Sequence, residues 1–230
     1  MKKFTMAVAT ASLLSATAFA DSCASSFSGF YAGAQAGVNS VSSKQSVDSA
    51  AAARVSKNDA GSKAFIGGLF AGYGMGVGSC AYVGGEVYVN FGNNTLKIEE
   101  TNASKATLKG TYNFGAKVRL GYTVSQQSMI FLGLGMERAK WQVKETLNVA
   151  VAPRAAGSYK KNKASFAFAP SVGMDMFINK NIFLRGEFTY VLAPSMKVAG
   201  GTDTPVVGTN DTFKVKATQQ RFTLGLGYKF

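Results

Sequence analysis

From residue 29 to Phe230 the chain repeatedly alternates apolar and polar positions with a period of two. That is the spacing of a strand whose successive side chains point to opposite faces. Eight segments carry the pattern: residues 29–38, 64–77, 81–92, 111–124, 129–141, 164–177, 182–193 and 214–230. In the fourth, Tyr112, Phe114, Ala116, Val118, Leu120, Tyr122 and Val124 share one face. Thr111, Asn113, Gly115, Lys117, Arg119, Gly121 and Thr123 share the other. The last segment ends "RFTLGLGYKF" and sets Phe222, Leu224, Leu226, Tyr228 and Phe230 in one apolar column.

The connections alternate as regularly as the strands. Those at 78–80, 125–128 and 178–181 are tight, whereas those at 39–63, 93–110, 142–163 and 194–213 are long. Such a chain runs up and down, with every tight turn at one end and every long connection at the other. Antiparallel strands in this order close on themselves and leave no exposed edge. The predicted fold class is all-β, an eight-stranded antiparallel up-and-down barrel.

Two barrels fit this pattern. A soluble, lipid-binding barrel turns its apolar face inward, and a transmembrane barrel turns it outward. The polar faces are dominated by Gly, Ser, Thr and Asn, with Gly72, Gly74, Gly76, Gly133, Gly135, Gly173, Gly225 and Gly227 among them. Glycine suits a cramped interior and would only weaken a water-facing wall. With the apolar face outward, Glu86, Lys117, Arg119, Glu137, Asp175, Arg185, Glu187 and Arg221 point into the lumen, four acids against four bases. An unpaired buried charge costs several kcal/mol, so these eight are expected to plug the lumen as ion pairs. The outward aromatics also sort by depth. Phe91, Tyr112, Phe114, Phe166, Phe168 and Tyr190 lie near the long connections, and Phe30, Tyr122, Tyr228 and Phe230 near the tight turns. Two aromatic belts around an aliphatic band are what the two membrane interfaces favour.

The N-terminus bears on compartment. Met1-Lys2-Lys3, an apolar stretch around Leu13 and Leu14, and the small-x-small Ala18-Phe19-Ala20 read as a signal peptide over residues 1–20. Cleavage before Asp21 leaves 21–230 as a single domain. Loss of Lys2 and Lys3 lowers the formal charge from +13 to +11. A basic exported chain points to acidic polysaccharide or an anionic membrane surface and argues against nucleic acid. No other segment approaches the roughly 18 uninterrupted apolar residues of a membrane helix.

Composition removes much chemistry. The sequence has no histidine, which excludes His-dependent triads, most zinc sites and a switch near neutral pH. Two cysteines are too few for a thiolate metal site. The glycines of "GYGMGVG" alternate within a strand and open no helix, so they do not form a phosphate-binding loop. No enzymatic activity and no cofactor are expected.

"GFYAGAQAGV", "GGLFAGYGMG", "AYVGGEVYVNFGN" and the closing "FTLGLGYKF", in that order, resemble the small outer membrane β-barrels of the opacity-porin group, related in fold to the barrel of outer membrane protein A. The resemblance spans the chain after residue 20. It implies a Gram-negative outer membrane, periplasmic termini and tight turns, and long connections facing outside. It also implies that the last strand is read by the outer-membrane assembly machinery, through Phe222, Leu224, Leu226, Tyr228 and Phe230. Members of the group serve as adhesins, surface antigens, structural proteins or poor channels, so the resemblance fixes no single activity.

Two features remain. Cys23 precedes the first strand and Cys80 lies in the first tight turn. Both fall at the same end of an up-and-down barrel, where either a disulfide or two free thiols would fit. The connection 142–163 carries Lys144, Arg154, Lys160, Lys161 and Lys163 against Glu145, a net +4. It would attract lipopolysaccharide or an acidic host polymer, or simply keep a loop solvated. The leading functional reading is a monomeric, surface-exposed structural or adhesive barrel in outer membrane lipid. The alternative is a narrow porin-like channel for small solutes. If the final aromatic belongs to the assembly signal, deleting Phe230 lowers the amount of barrel in outer-membrane fractions; unchanged assembly would refute that role.

Overall fold

The structure is a computed structural model and describes residues 26–48, 57–100, 104–147, 157–192, 196–199 and 212–230. Its strands are β1 (Gly29–Asp48), β2 (Lys57–Val77), β3 (Ala81–Glu100), β4 (Ser104–Ser125), β5 (Ser128–Leu147), β6 (Gly157–Phe177), β7 (Ile182–Leu192), β8 (Met196–Ala199) and β9 (Thr212–Lys229). Every pairing is antiparallel, and each strand from β1 to β6 pairs with the next. The short β8 takes up on β9 where β7 leaves off, so the two form one interrupted stave. Pairing of β1 with β9 closes the barrel at eight staves. No helix occurs among the described residues.

The eight staves match the eight periodic segments, but several run further than alternation implies. β1 and β2 extend to Asp48 and from Lys57, β3 and β4 to Glu100 and from Ser104, and β5 and β6 to Leu147 and from Gly157. Much of the first three long connections is therefore paired ribbon rather than loop. Alternation marks a wall with lipid on one side and lumen on the other. Ladder hydrogen bonds join backbones and need no such contrast, so they continue past the end of the alternation. The tight turns sit as expected. Gly78 supplies the positive φ of the β2–β3 turn. Between β6 and β7, the Asn179 side-chain oxygen accepts the backbone N–H groups of Asn181 and Ile182 at 3.0 and 2.8 Å.

Register fixes the barrel's shape. Cross-strand partners lead from Ala32 through Ala71, Val87, Ala116, Met136, Phe168, Leu192 and Thr218 back to β1 at Ser42, ten residues along. For eight strands at ordinary spacings this stagger tilts them by about 40°. Each row of partners therefore climbs toward the long-hairpin end as it passes from β1 to the later strands.

The walls face as the alternation predicts. Phe65 is 85% exposed and Leu224 62%, and both lie on the outward face with the other large apolar residues. A core turned inside out in this way excludes the soluble barrel, whose apolar wall would be the buried one. Phe91, Tyr112, Phe114, Phe166, Phe168 and Tyr190 face outward at the long-hairpin end, as do Phe30, Tyr122, Tyr228 and Phe230 at the other.

The lumen departs from expectation in one respect. It holds a layer of large rings as well as small and charged residues: Tyr31, Phe70, Tyr82, Tyr88, Phe131 and Phe183 are all buried. All six lie directly opposite a glycine, Tyr82 facing Gly76 and Gly121. In the pairs Tyr31–Gly72, Phe70–Gly33, Tyr88–Gly115, Phe131–Gly173 and Phe183–Gly227 a Cβ at the glycine would run into the partner ring. The glycines thus open the space that the rings fill, which is how aromatic side chains compensate glycine in strands. Gly227→Val forces the Phe183 ring aside and is expected to cost about 1–3 kcal/mol, read by urea unfolding in lipid vesicles; lipid-facing Leu226→Val serves as the control and changes little.

Candidate functional site

The eight lumenal charges come together in the barrel interior, each between 1 and 8% exposed. They arrive on six staves: Glu86 on β3, Lys117 and Arg119 on β4, Glu137 on β5, Asp175 on β6, Arg185 and Glu187 on β7, and Arg221 on β9. Two pairs are direct cross-strand neighbours, Glu86–Lys117 and Asp175–Arg185. Arg119 meets Glu86 diagonally between the same two strands, and the other contacts reach across the interior.

Glu86 and Asp175 are the hubs. Glu86 receives Arg185 Nη1 at 2.7 Å, Lys117 Nζ at 3.0 Å and Arg119 Nη1 at 3.5 Å. Asp175 receives Arg119 Nη2 at 2.6 Å and Arg185 Nε at 2.8 Å, with a second bond from Arg185 Nη2 at 3.0 Å. Lys117 also bonds Glu187. A second pair stands apart, where Arg221 Nη1 and Nη2 donate to the two oxygens of Glu137 at 3.0 and 3.2 Å. Paired, fork-like donation of this kind is the strongest form of the interaction. Removing one member would leave its partner charged and desolvated.

Rings bracket this network, most of them toward the tight turns and Tyr88 between Glu86 and the long hairpins. Tyr31 donates its hydroxyl to Glu86 at 3.0 Å and accepts from Arg119 at 3.1 Å. Tyr88 donates to Glu137 at 3.2 Å. The Arg119 guanidinium carbon lies 3.8 Å from the Phe131 ring centroid, and that of Arg185 lies 4.2 Å from Phe70. Both guanidinium groups therefore have aromatic faces against them and carboxylates at their edges, and the rings attract the same cations. Toward the long hairpins the lumen turns neutral. Gln35 donates to Asn90 at 2.7 Å, Asn90 to Asn113 at 3.1 Å, and Asn39 to Gln219 at 2.9 Å.

Every acid in this arrangement is held by arginine or lysine, and the described residues contain no cluster able to hold a metal ion. The rings were the residues that alternation did not single out. Their signal lay in register: an aromatic on an otherwise small and polar face, facing a glycine on the next strand.

The other candidate residues scatter. Phe222, Leu224, Leu226, Tyr228 and Phe230 form an outward column on and just beyond β9, and the Tyr228 and Phe230 rings meet edge to face at 5.2 Å. The Phe230 N–H donates to the Phe30 carbonyl at 2.9 Å, tying the last residue to β1. Cys80 lies in the β2–β3 turn and is not a free thiol, while Cys23 falls outside the described residues. The basic group does not make one loop. Lys144 is on β5 and Lys160, Lys161 and Lys163 are on β6, with Lys144 directly opposite Lys160; Arg154 lies outside the described residues.

Comparison with known proteins agrees with this geometry. Residues 6–230 match the family described as the outer membrane protein beta-barrel domain. The outer membrane protein OprG from Pseudomonas aeruginosa is similar in structure, with a TM-score of 0.55 and 17% identity over 88% of this chain and 96% of that one. Neisserial surface protein A (TM-score 0.43, 16% identity, 88% and 98% covered) and the attachment invasion locus protein Ail of Yersinia pestis (0.40, 13%, 85% and 98%) also match. No curated protein sequence matches significantly. The family match covers nearly the whole chain and the OprG likeness shows the fold; the chain belongs to the outer membrane protein β-barrel family and is a protein of the Gram-negative outer membrane.

Proposed function

We propose that this barrel is a non-enzymatic, surface-exposed structural or adhesive protein with a sealed lumen, rather than a channel. One observation carries the reading: oppositely charged side chains meet across the interior, Arg185 with Glu86, Arg119 with Asp175, and Arg221 with Glu137. A pore selective for ions segregates its charges around a gap. Here they close on one another, with rings packed against them and amide bonds toward the long hairpins.

In this reading the signal peptide of residues 1–20 is removed and the termini and tight turns face the periplasm. The long hairpins stand outside, where surface ribbons are free to carry recognition. The lysines of the β5–β6 ribbon and Arg154 form the contact for lipopolysaccharide or an acidic host polymer, drawn by charge. The outward β9 column is what the assembly machinery reads, and the protein acts as a monomer. Cys80 pairs with Cys23, the only other cysteine in the sequence, and so staples the segment before β1 to the β2–β3 turn.

Purified barrel in planar bilayers is expected to show no steady conductance, whereas Arg185→Ala leaves Glu86 and Asp175 underpaired and costs about 3–5 kcal/mol of stability. Steady wild-type conductance would reverse the sealed reading. Neutralising Lys144, Arg154, Lys160, Lys161 and Lys163 together is expected to reduce retention on immobilised heparin or lipopolysaccharide, and unchanged retention removes the adhesive role from this ribbon. Mass spectrometry after alkylation without reductant is expected to find both cysteines unmodified; two alkylated thiols would exclude the staple.

A further inference from the structure

The lipid-facing wall contains a trough. Ala32, Ala71, Val87, Ala116 and Met136 are successive cross-strand partners from β1 to β5, and three of the five are alanine. The row above carries Ala34, Leu69, Val89, Phe114 and Arg138, and the row below carries Phe30, Tyr73, Gly85, Val118 and Leu134. A floor of mostly small residues, with larger side chains above and below it on most of the strands, leaves an outward concavity of about 830 Å³. A second concavity of about 800 Å³ shares the same floor and continues toward Phe30 and Phe230.

The trough has a direction and a charged end. Four strand spacings make the floor about 19 Å long, and the strand tilt makes it climb about 12 Å, close to the ~15 Å depth of one leaflet's hydrocarbon. At its upper end stands Arg138, with its guanidinium carbon 5.6 Å from the Phe166 ring centroid, inside the aromatic belt. Among the described side chains that face outward from the strands, only Lys63 and Arg138 are charged. Both are cations, and both lie toward the long hairpins.

We propose that the trough seats one acyl chain of a phosphorylated outer-leaflet glycolipid, the lipid A anchor of lipopolysaccharide, with its phosphate on Arg138. This rests on the orientation given under Proposed function, with the long hairpins outside. The apolar floor selects a tail, and the cation at the polar interface selects an anionic headgroup. Arginine suits that place, because stacking occupies the face of the guanidinium while its edge presents paired N–H donors that match phosphate oxygens. An uncharged lipid leaves the cation unmatched, and a peptide would leave its backbone polar groups unsatisfied in hydrocarbon. The site is separate from the basic β5–β6 ribbon, whose lysines lie beyond Arg138 and Phe166 along the two strands.

Native mass spectrometry of the full barrel in detergent tests the assignment, with bisphosphorylated lipid A, its dephosphorylated form and phosphatidylglycerol as probes. Wild type is expected to retain lipid A about tenfold more than the dephosphorylated form, and Arg138→Gln to bring the two level. Ala116→Leu fills the floor from the lipid side without touching the lumen, and is expected to lower retention of both several-fold. Lys63→Gln, outside the trough, leaves retention unchanged. Phosphatidylglycerol retained as well as lipid A, Arg138→Gln behaving as wild type, or Lys63→Gln losing as much as Arg138→Gln would each overturn the proposal, since each describes a general anionic shell. Binding in detergent does not depend on which end faces outside. Protease cleavage of the hairpins on intact cells reads that orientation separately, so the two ideas fail independently.

Discussion

The barrel depends on the cancellation of charge in a space withdrawn from bulk solvent. Eight strands staggered by ten residues enclose an interior that side chains fill. Within it Glu86, Lys117, Arg119, Glu137, Asp175, Arg185, Glu187 and Arg221 are almost wholly withdrawn from solvent. Such groups are tolerable only as a balanced set, and four acids with four bases is balanced. Geometry adds a second demand, because two guanidinium groups converge on the same two carboxylates, Glu86 and Asp175. The Phe131 and Phe70 rings against those cations reconcile the crowding, since they attract positive charge while excluding water.

That requirement spreads through the wall. Rings large enough to pack on arginine fit only where the neighbouring strand has given up its side chain, hence glycine at positions 33, 72, 115, 173 and 227. The outer surface carries the opposite burden. Its leucines, valines and methionines contribute to no protein core and are stabilised by the surrounding hydrocarbon. Electrostatic pairing and ring packing therefore hold the inside, solvation by lipid holds the outside, and one sheet separates the two.

Much of this could be read before any coordinates. Parity alone assigned Glu86 and Arg185 to the lumen and Leu224 and Phe230 to lipid, because a strand offers only two faces. Parity does not give register. Which base meets which acid, and that Phe183 lies over Gly227, depends on how neighbouring staves are offset, and no single stave records that. Strand ends were also hidden. The stretch 39–48 is almost uniformly polar yet continues β1 to Asp48, since ladder hydrogen bonds between backbones need no contrast between the two faces. The four-residue β8 is too short to show any period. The trough was invisible for a related reason: Ala32, Ala71 and Ala116 are far apart in the chain and become one floor only through register.

With β7 and β8 counted as one stave, every ladder but one joins neighbours in sequence; the exception is β1 with β9. In kinetic terms this makes the seam a late event. Hairpins between adjacent strands close short loops, whereas Asn39 and Gln219 must meet across 180 residues of chain. Until they do, both outer staves are raw edges in a medium with no water to bond them, so a half-closed cylinder has little to gain by waiting. Completion is then close to all-or-none, and the same ladder would have to part first if the finished barrel were ever to come undone.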